Sequence, residues 1–422
     1  MAESGPLEST QPVAIHPASW DTRYEIKAVT LLSLGFALVG LDRWIISPLL
    51  PSIMKDLHLN YQDAGNIIGV LALCWGVFAI LMGRLSDTVG RRRILIPSLI
   101  LFSLMSCVSG LATGLMMLLL SRGIMGATEG AFLPACTAAT GEASAERRRG
   151  FNQGFQLSTF AWVGLGFGPL IAASLLRVFP SWRWVFCLVA VPGLVIALLM
   201  AFVIREPNHL RQPDARHEPA HWGTLFHTRN VPLAMALILC AMSCIFVLGG
   251  LLPSYLSDFV HLPETQSAGV LSAIGFGGGL GQFLFGWLSD HAGRKPTTML
   301  CFAGGLVFLI WFSRIGPDPT ALFWTLFFCS LFVFGVLSIM TGPVPTEAVP
   351  PALMASAIGI VSGTGEIFGG GIAPSAAGWV AQHFGIDKVL RVSMVGLAIG
   401  LVLVLLLQET APRRVAARAR AG

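Results

Sequence analysis

Four charged side chains stand inside apolar stretches of this sequence, where ionised groups are rare. They are Asp42, Arg43, Arg122 and Glu129. An ionised side chain at the centre of a bilayer costs about 2.5–3.5 kcal/mol, so the four together cost on the order of 10 kcal/mol. Because buried ion pairs stabilise proteins poorly compared with apolar packing, the pattern favours a functional role. Two buried ion pairs that only hold helices together remain the alternative.

The spacing of these residues suits the joint binding of an anion and a proton. Arg122 and Glu129 are seven residues apart, which places both on one face of a helix, about 10 Å apart along its axis, whereas the neighbours Asp42 and Arg43 point about 100° apart. A guanidinium donates two parallel hydrogen bonds to a carboxylate. Desolvation favours a protonated acid, and a nearby arginine opposes this. An anion that binds the arginine weakens the effect of the arginine on the acid. Anion binding and proton binding therefore favour each other, which is a physical basis for symport.

The composition places these residues in a membrane-spanning chain. Of the 422 residues, 54% are hydrophobic and 12% are charged, compared with about 25% charged residues in soluble domains. The apolar runs are long enough to cross a bilayer, which takes about 20 helical residues each. The sequence therefore predicts an all-α membrane protein with twelve transmembrane helices in two six-helix halves. The predicted spans are 27–53, 64–84, 94–112, 115–140, 151–176, 183–204, 232–257, 266–288, 297–314, 319–342, 352–382 and 386–408.

Polar segments divide the chain and indicate its orientation. If both termini are cytoplasmic, 19 of the 27 lysines and arginines fall on the cytoplasmic side, as expected for loops on that face of a membrane. Residues 1–26 contain no short apolar core with a small-residue cleavage site, so we expect no cleaved signal peptide. The predicted units are a cytoplasmic N-terminal tail (1–26), a first half (27–204), a cytoplasmic central linker (205–231), a second half (232–408) and a cytoplasmic basic tail (409–422).

The remaining composition excludes several classes of protein. The net charge of +5 follows from topology, so no nucleic-acid partner is expected, and the basic tail is expected to contact anionic lipid headgroups. All eight cysteines fall in apolar runs, so neither a disulfide framework nor a metal site is predicted. No nucleophile, base and orienting partner occur together, which argues against an enzyme. We expect a functional monomer without a cofactor, with protons as the coupling ion.

Two similar segments, identical at six of eleven positions, lie at equivalent places in the two halves. GRLSDTVGRRR begins at Gly83, and GWLSDHAGRKP begins at Gly286, 203 residues later. The repeat resembles the loop signature of the major facilitator superfamily. This resemblance implies that the aspartates cap a helix and join charge pairs that hold one gating state; alternatively, the arginines only set topology. The implied gating residues are Gly83, Asp87, Gly90, Arg91, Asp290 and Arg294.

Further segments resemble one branch of that superfamily. GLDRWIISPLLPSI in the first span, SRGIMGATEGAFLP in the fourth, the AERRRG loop, WRWVF and LLPSYL are similar to the anion:cation symporters, which transport sugar acids and other organic anions. The resemblance implies that Asp42 and Glu129 couple protons and that Arg43 binds the substrate carboxylate. Arg122 would pair with the carboxylates or help to position them.

Two residues depart from that branch, and one polar residue has two readings. Trp75 stands near the place of a common tyrosine, and Glu366 near the place of a common asparagine. Glu366, the third acid well inside a span, could repel an anion, contact a substrate hydroxyl or amine, or carry a proton. Gln156 could bind a substrate hydroxyl or make a hydrogen bond between helices. Arg43, Arg122, Gln156 and Glu366 are therefore the candidate substrate-binding residues.

The sequence thus predicts a secondary transporter that imports a small organic anion, a carboxylate or sugar acid, by proton symport through alternating access. It would lie in the inner membrane of a bacterium with both termini cytoplasmic. VGLGFGP at 163–169 partly resembles a motif of drug antiporters, so a proton-driven exporter is the alternative. A membrane sensor that does not transport is a third, minor reading.

Overall fold

The computed structural model describes residues 20–59, 61–179, 181–206 and 223–414. Most of both predicted tails, 1–19 and 415–422, and residues 207–222 of the predicted linker lie outside these residues. The described chain is all helical, and helices occupy each of the twelve predicted spans. Ten helices in these ranges are long and apolar enough to cross a membrane. The fourth and fifth spans, which are not among those ten, carry polar side chains.

The first half contains six spans, named here by their order in the chain. Their helices, with short breaks, are the first (Thr22–Trp44 and Ile46–Leu57), second (Tyr61–Val89), third (Arg91–Gly110), fourth (Leu115–Ala143), fifth (Arg149–Phe160, Ala161–Phe167 and Gly168–Val178) and sixth (Trp182–Val203). The six spans of the second half follow a short helix, Thr224–His227. They are the seventh (Asn230–Ser254 and Tyr255–Phe259), eighth (Glu264–Ala292), ninth (Arg294–Phe312), tenth (Pro319–Met340 and Pro343–Ala348), eleventh (Met354–Thr364, Gly365–Ile372 and Ala373–Phe384) and twelfth (Val389–Leu403).

Each half has its own apolar core. One cluster of buried side chains is drawn from residues 28–204. A second is drawn from residues 225–407, joined by two alanines of the first half, Ala138 and Ala161. The buried clusters thus follow the two halves, which also pack against each other where the second span meets the eleventh and the fifth meets the eighth.

Prolines account for three interruptions in these helices. Pro48 has no N–H to donate to the carbonyl of Trp44, and the first span breaks at Ile45. Pro169 and Pro374 follow wider π-helical turns in the fifth and eleventh spans, where a regular helix would need their missing N–H groups. Such turns occur often at functional sites, and the one in the eleventh span contains Glu366.

Candidate functional site

Five charged residues gather near the middle of the molecule. Asp42 and Arg43 come from the first span, Arg122 and Glu129 from the fourth, and Glu366 from the eleventh. Each is at most 9% exposed, and Glu129 is fully buried. These five residues, called the central cluster below, therefore include the four charged residues that the sequence places well inside the first-half spans, together with the acid that it places well inside a second-half span.

An ion pair between Arg43 and Glu366 connects the two halves. Arg43 Nη2 donates to Glu366 Oε2 at 2.9 Å, and Nη1 donates to Oε1 at 3.3 Å. The guanidinium carbon of Arg43 also lies 5.9 Å from the ring centroid of Trp44 and 5.5 Å from that of Trp75. Arginine stacks well on aromatic rings, so two indoles and one carboxylate hold the guanidinium in place.

Asp42 and Arg122 are joined through the backbone rather than by an ion pair. Ser106 Oγ donates to Asp42 Oδ1 at 2.8 Å. Arg122 Nη1 donates to the backbone carbonyl of Asp42 at 3.1 Å, and its guanidinium carbon lies 5.2 Å from the ring centroid of Phe186. Arg122 is thus placed to fix the backbone beside Arg43.

Several polar atoms of the cluster have no hydrogen-bond partner within the described part of the chain. Neither carboxylate oxygen of Glu129 accepts a hydrogen bond, and Nε and Nη2 of Arg122 donate none. The indole Nε1 atoms of Trp44 and Trp75 are also buried without an acceptor. Buried polar groups are nearly always paired, so a cluster of unpaired ones points to a site that a ligand or proton completes.

Gln156 lies outside this cluster of contacts. Its Oε1 accepts a hydrogen bond from Thr137 Oγ1 at 3.2 Å, between the fourth and fifth spans. Thr137 is eight residues beyond Glu129, about 12 Å along the helix. Among the described residues, Gln156 Nε2 has no acceptor. Of the two roles considered for Gln156, the hydrogen bond between helices is therefore present. Its amide NH2 group remains unpaired among the described residues.

The first copy of the repeated loop motif forms a network that crosses between the halves. Asp87 accepts hydrogen bonds from Ala355 N (3.0 Å), Ser356 N (2.7 Å) and Ser356 Oγ (2.5 Å) at the start of the eleventh span. Arg91 binds Asp87 at 2.5 Å and Glu142 at 2.8 Å. Asp87 thus caps the N-terminus of a helix of the opposite half. The free N–H groups and the partial positive charge at that terminus stabilise its carboxylate.

The second copy repeats this arrangement in reverse. Asp290 accepts hydrogen bonds from Gly150 N at 3.0 Å and Phe151 N at 2.8 Å, at the start of the fifth span. Arg294 binds Asp290 at 2.7 Å and Glu347 at 2.8 Å. Together the two networks join the halves at one end of the bundle, called the arginine-rich end below.

Glycines of the motif permit this close approach. A Cβ atom on Gly83 would overlap the backbone of Ala355. Gly90 has a φ of 107° and precedes Arg91, a backbone conformation that glycine adopts without strain. The two glycines therefore allow the spans to meet and the loop to turn.

Some residues of these networks were missed by the sequence reasoning. Glu142 and Glu347, at the ends of the fourth and tenth spans, hold the two arginines, and Glu409 accepts from the backbone N–H groups of Arg294 and Lys295. An acid at the end of a span indicates a possible charge pair. Its arginine partner lies on another span, however, and cannot be identified from the spacing in the sequence. Within the residues that the structure describes, no three His, Cys, Asp or Glu side chains form a metal site.

Comparison with known proteins gives a family and several relatives. The family model described as Major Facilitator Superfamily matches residues 32–374. A protein of Cupriavidus pinatubonensis named "Probable 4-methylmuconolactone transporter" is 25% identical over 89% of both chains. The 3-(3-hydroxy-phenyl)propionate transporter of Escherichia coli is 28% identical over 70% of this chain and 72% of its own. The lincomycin resistance protein of Streptomyces lincolnensis is 31% identical over 44% of this chain and 38% of its own.

Solved structures share the fold at lower sequence identity. The transporter FucP in its outward conformation superposes with a TM-score of 0.74 at 16% identity, covering 92% of this chain and 100% of its own. The human organic anion transporter MFSD10 superposes with the same TM-score of 0.74 at 18% identity, covering 90% and 99% of the two chains. These matches extend over both six-helix halves.

Proposed function

We propose that this chain imports an organic anion together with protons. It belongs to the Major Facilitator Superfamily, and it is an integral membrane transporter of a small metabolite rather than an enzyme. The observation that carries this proposal is the set of unpaired buried donors in and beside the central cluster, which outnumber the two unpaired oxygens of Glu129. Four N–H atoms or groups, on Trp44, Trp75 and Arg122, have no acceptor among the described residues. An ionised carboxylate only accepts hydrogen bonds, so it is the ligand chemistry that these donors suit, whereas an amine would leave them unpaired.

The roles follow from the contacts. Arg43, whose fork already holds one carboxylate in a two-pronged contact, would bind the substrate carboxylate. Asp42 and Glu129 would take up protons, and Arg122 would steady the backbone of Asp42. Gln156 would offer its free amide donor to a more distant part of the substrate.

The gating residues Gly83, Asp87, Gly90, Arg91, Asp290 and Arg294 would keep the arginine-rich end closed. With the excess of basic residues on that side, the orientation that we propose has both termini in the cytoplasm of a bacterium and the chain in its inner membrane. In this orientation, the halves are joined on the cytoplasmic side, and substrate would enter the central cluster from outside.

The relatives narrow the choice of substrates to be tested. Two of them are named as transporters of 4-methylmuconolactone and of a hydroxyphenylpropionate. Trp44 and Trp75 beside Arg43 would add apolar, aromatic walls to a carboxylate site. We therefore place an unsaturated or aromatic carboxylic acid ahead of a sugar acid as the substrate.

The test is uptake by proteoliposomes. Vesicles that contain the protein and carry an inward proton gradient should accumulate labelled 3-(3-hydroxyphenyl)propionate or a related acid, and an uncoupler should abolish accumulation. Protein-free vesicles measure passive entry of the neutral acid.

Export by proton exchange is the second candidate. The local match to a lincomycin resistance protein and the partial resemblance of VGLGFGP at 163–169 to a motif of drug antiporters favour it. Under the same inward proton gradient an exchanger would expel the compound, so the direction of movement separates the two functions.

A further inference from the structure

Glu366 occupies the same two nitrogen atoms of Arg43 that a substrate carboxylate would need. Its oxygens accept from Nη1 at 3.3 Å and from Nη2 at 2.9 Å. The pair is buried, with side-chain exposures of 8% and 6%. A planar guanidinium offers this pair of parallel donors to one carboxylate at a time. Glu366 and a substrate carboxylate therefore compete for one face of Arg43.

The charge of the central cluster limits how that competition can be resolved. Its two arginines face three acids, so the cluster carries one excess negative charge when all are ionised. A monoanion bound without a proton would add a second negative charge at a buried site, which is costly. A proton taken up by Glu366 compensates the negative charge of the substrate. It also breaks the ion pair between Glu366 and Arg43.

The surroundings of Glu366 leave few other groups to take part. Arg43 faces it from the first span, and Glu129 on the fourth span interacts electrostatically with both Arg43 and Glu366. The second span passes beside it at Gly76, which has no side chain. From the seventh span, Ile238 and Met242 pack against the neighbouring glycines Gly365 and Gly369. Arg43 is thus the one cation in direct contact with Glu366 among the described residues.

We propose that Glu366 is a proton-binding site that controls access to Arg43, a role that rests on the proposed anion symport. Ionised Glu366 occupies Arg43 and joins the first span to the eleventh. A proton from outside neutralises Glu366, the ion pair opens, and Arg43 accepts the substrate carboxylate. When the substrate leaves on the inside, Glu366 releases its proton and binds Arg43 again.

The test measures substrate binding against pH in the full-length protein in lipid nanodiscs. Binding of 3-(3-hydroxyphenyl)propionate to the wild type should weaken by about tenfold per pH unit towards alkaline pH, as expected when one proton binds together with the substrate. Glu366→Gln should bind at high pH as tightly as the wild type does at low pH. Glu366→Asn provides a second neutral variant, and Glu146→Gln, at an exposed position outside the central cluster, serves as the control that should keep the pH dependence. An unchanged pH slope in both Glu366 variants, or weaker binding at every pH, would overturn the proposal.

A measurement without substrate separates this proposal from the proposed function. On acidification, infrared difference spectra of the wild type should show a protonated carboxyl signal that Glu366→Gln lacks. If the signal is absent from the wild type, Glu366 does not bind a proton, even where anion symport is found. If the signal is present but no organic acid is bound or transported, the proton site stands and the anion symport fails.

Discussion

The charged networks at the arginine-rich end and the central cluster solve the same physical problem in different ways. At the arginine-rich end, Asp87 and Asp290 receive backbone N–H groups from the opposite half, and each also binds an arginine on its own side. In the centre, Glu129 has no donor within the described residues, and Arg43 is held by a single acid. One region is completed by protein groups, whereas the other is left for a ligand or proton to complete.

This difference separates residues that hold a conformation from residues that handle substrate. A buried charge with good hydrogen bonds is tolerated, whereas one without them is costly. Such incomplete pairing persists mainly where function requires it. Variants at the two regions should therefore differ in kind: central variants should change binding and coupling, and variants at the arginine-rich end should change which side of the protein is open.

Arg43→Lys should have the largest effect. Lysine keeps the charge but loses the planar pair of donors, so substrate affinity should fall roughly 30- to 100-fold, equivalent to about 2–3 kcal/mol. Binding of 3-(3-hydroxyphenyl)propionate to purified protein measures this. Arg314→Lys, at an exposed position in the loop after the ninth span, is the control. Unchanged affinity in Arg43→Lys would make Arg43 a purely structural residue.

Glu129→Gln should separate exchange from accumulation. Glutamine imitates a permanently protonated acid, so the loaded carrier should still exchange labelled for unlabelled acid but cannot release a proton inside. We expect accumulation against a gradient to fall about tenfold or more, with exchange within about twofold of wild type. Both are measured in the same vesicles, with exposed Glu146→Gln as the control. Asp42→Asn should behave alike if both acids carry protons, and equal loss of exchange and accumulation would indicate a folding or binding role.

Asp87→Asn should open the arginine-rich end. It loses the charge that three donors of the eleventh span and Arg91 share, and we expect the equilibrium to shift by roughly tenfold, about 1.4 kcal/mol. Asp290→Asn, with two such donors, should shift it less. Distances between spin labels at the exposed positions Thr88 and His291 report the change. Asp318→Asn, which removes the charge of a helix cap within one half, should leave the distance unchanged. Unchanged distances in Asp87→Asn and Asp290→Asn as well would mean that the networks do not hold the halves together.

Ser356→Ala should have the smallest effect. It removes one hydroxyl donor to Asp87 and leaves both backbone donors in place, so a shift of about threefold is expected in the same distance measurement. Ser362→Ala is the matched control, because the Ser362 hydroxyl binds carbonyls of its own helix. An effect as large as that of Asp87→Asn would mean that the hydroxyl, and not the helix terminus, holds the aspartate.

The sequence predicted the spans closely because length and apolarity determine them; the fourth, for example, was predicted at 115–140 and extends over Leu115–Ala143. The capping role of Asp87 was implied by resemblance and agrees with its contacts. The Arg43–Glu366 pair was not predicted, because the two residues are 323 positions apart and lie in different halves. Hydropathy locates each span but carries no information about which faces of two halves meet. Glycines followed by Pro169 and Pro374 are a signal that could have predicted the two π-helical turns.

The most direct test of the account is to follow the pH inside proteoliposomes while substrate enters without an imposed gradient. Addition of 3-(3-hydroxyphenyl)propionate outside should acidify the interior faster than in protein-free vesicles, because each carboxylate that reaches Arg43 brings a proton with it. Arg43→Lys should remove this extra acidification. Substrate entry through the wild type with an unchanged or more alkaline interior would contradict proton and anion symport at the central cluster.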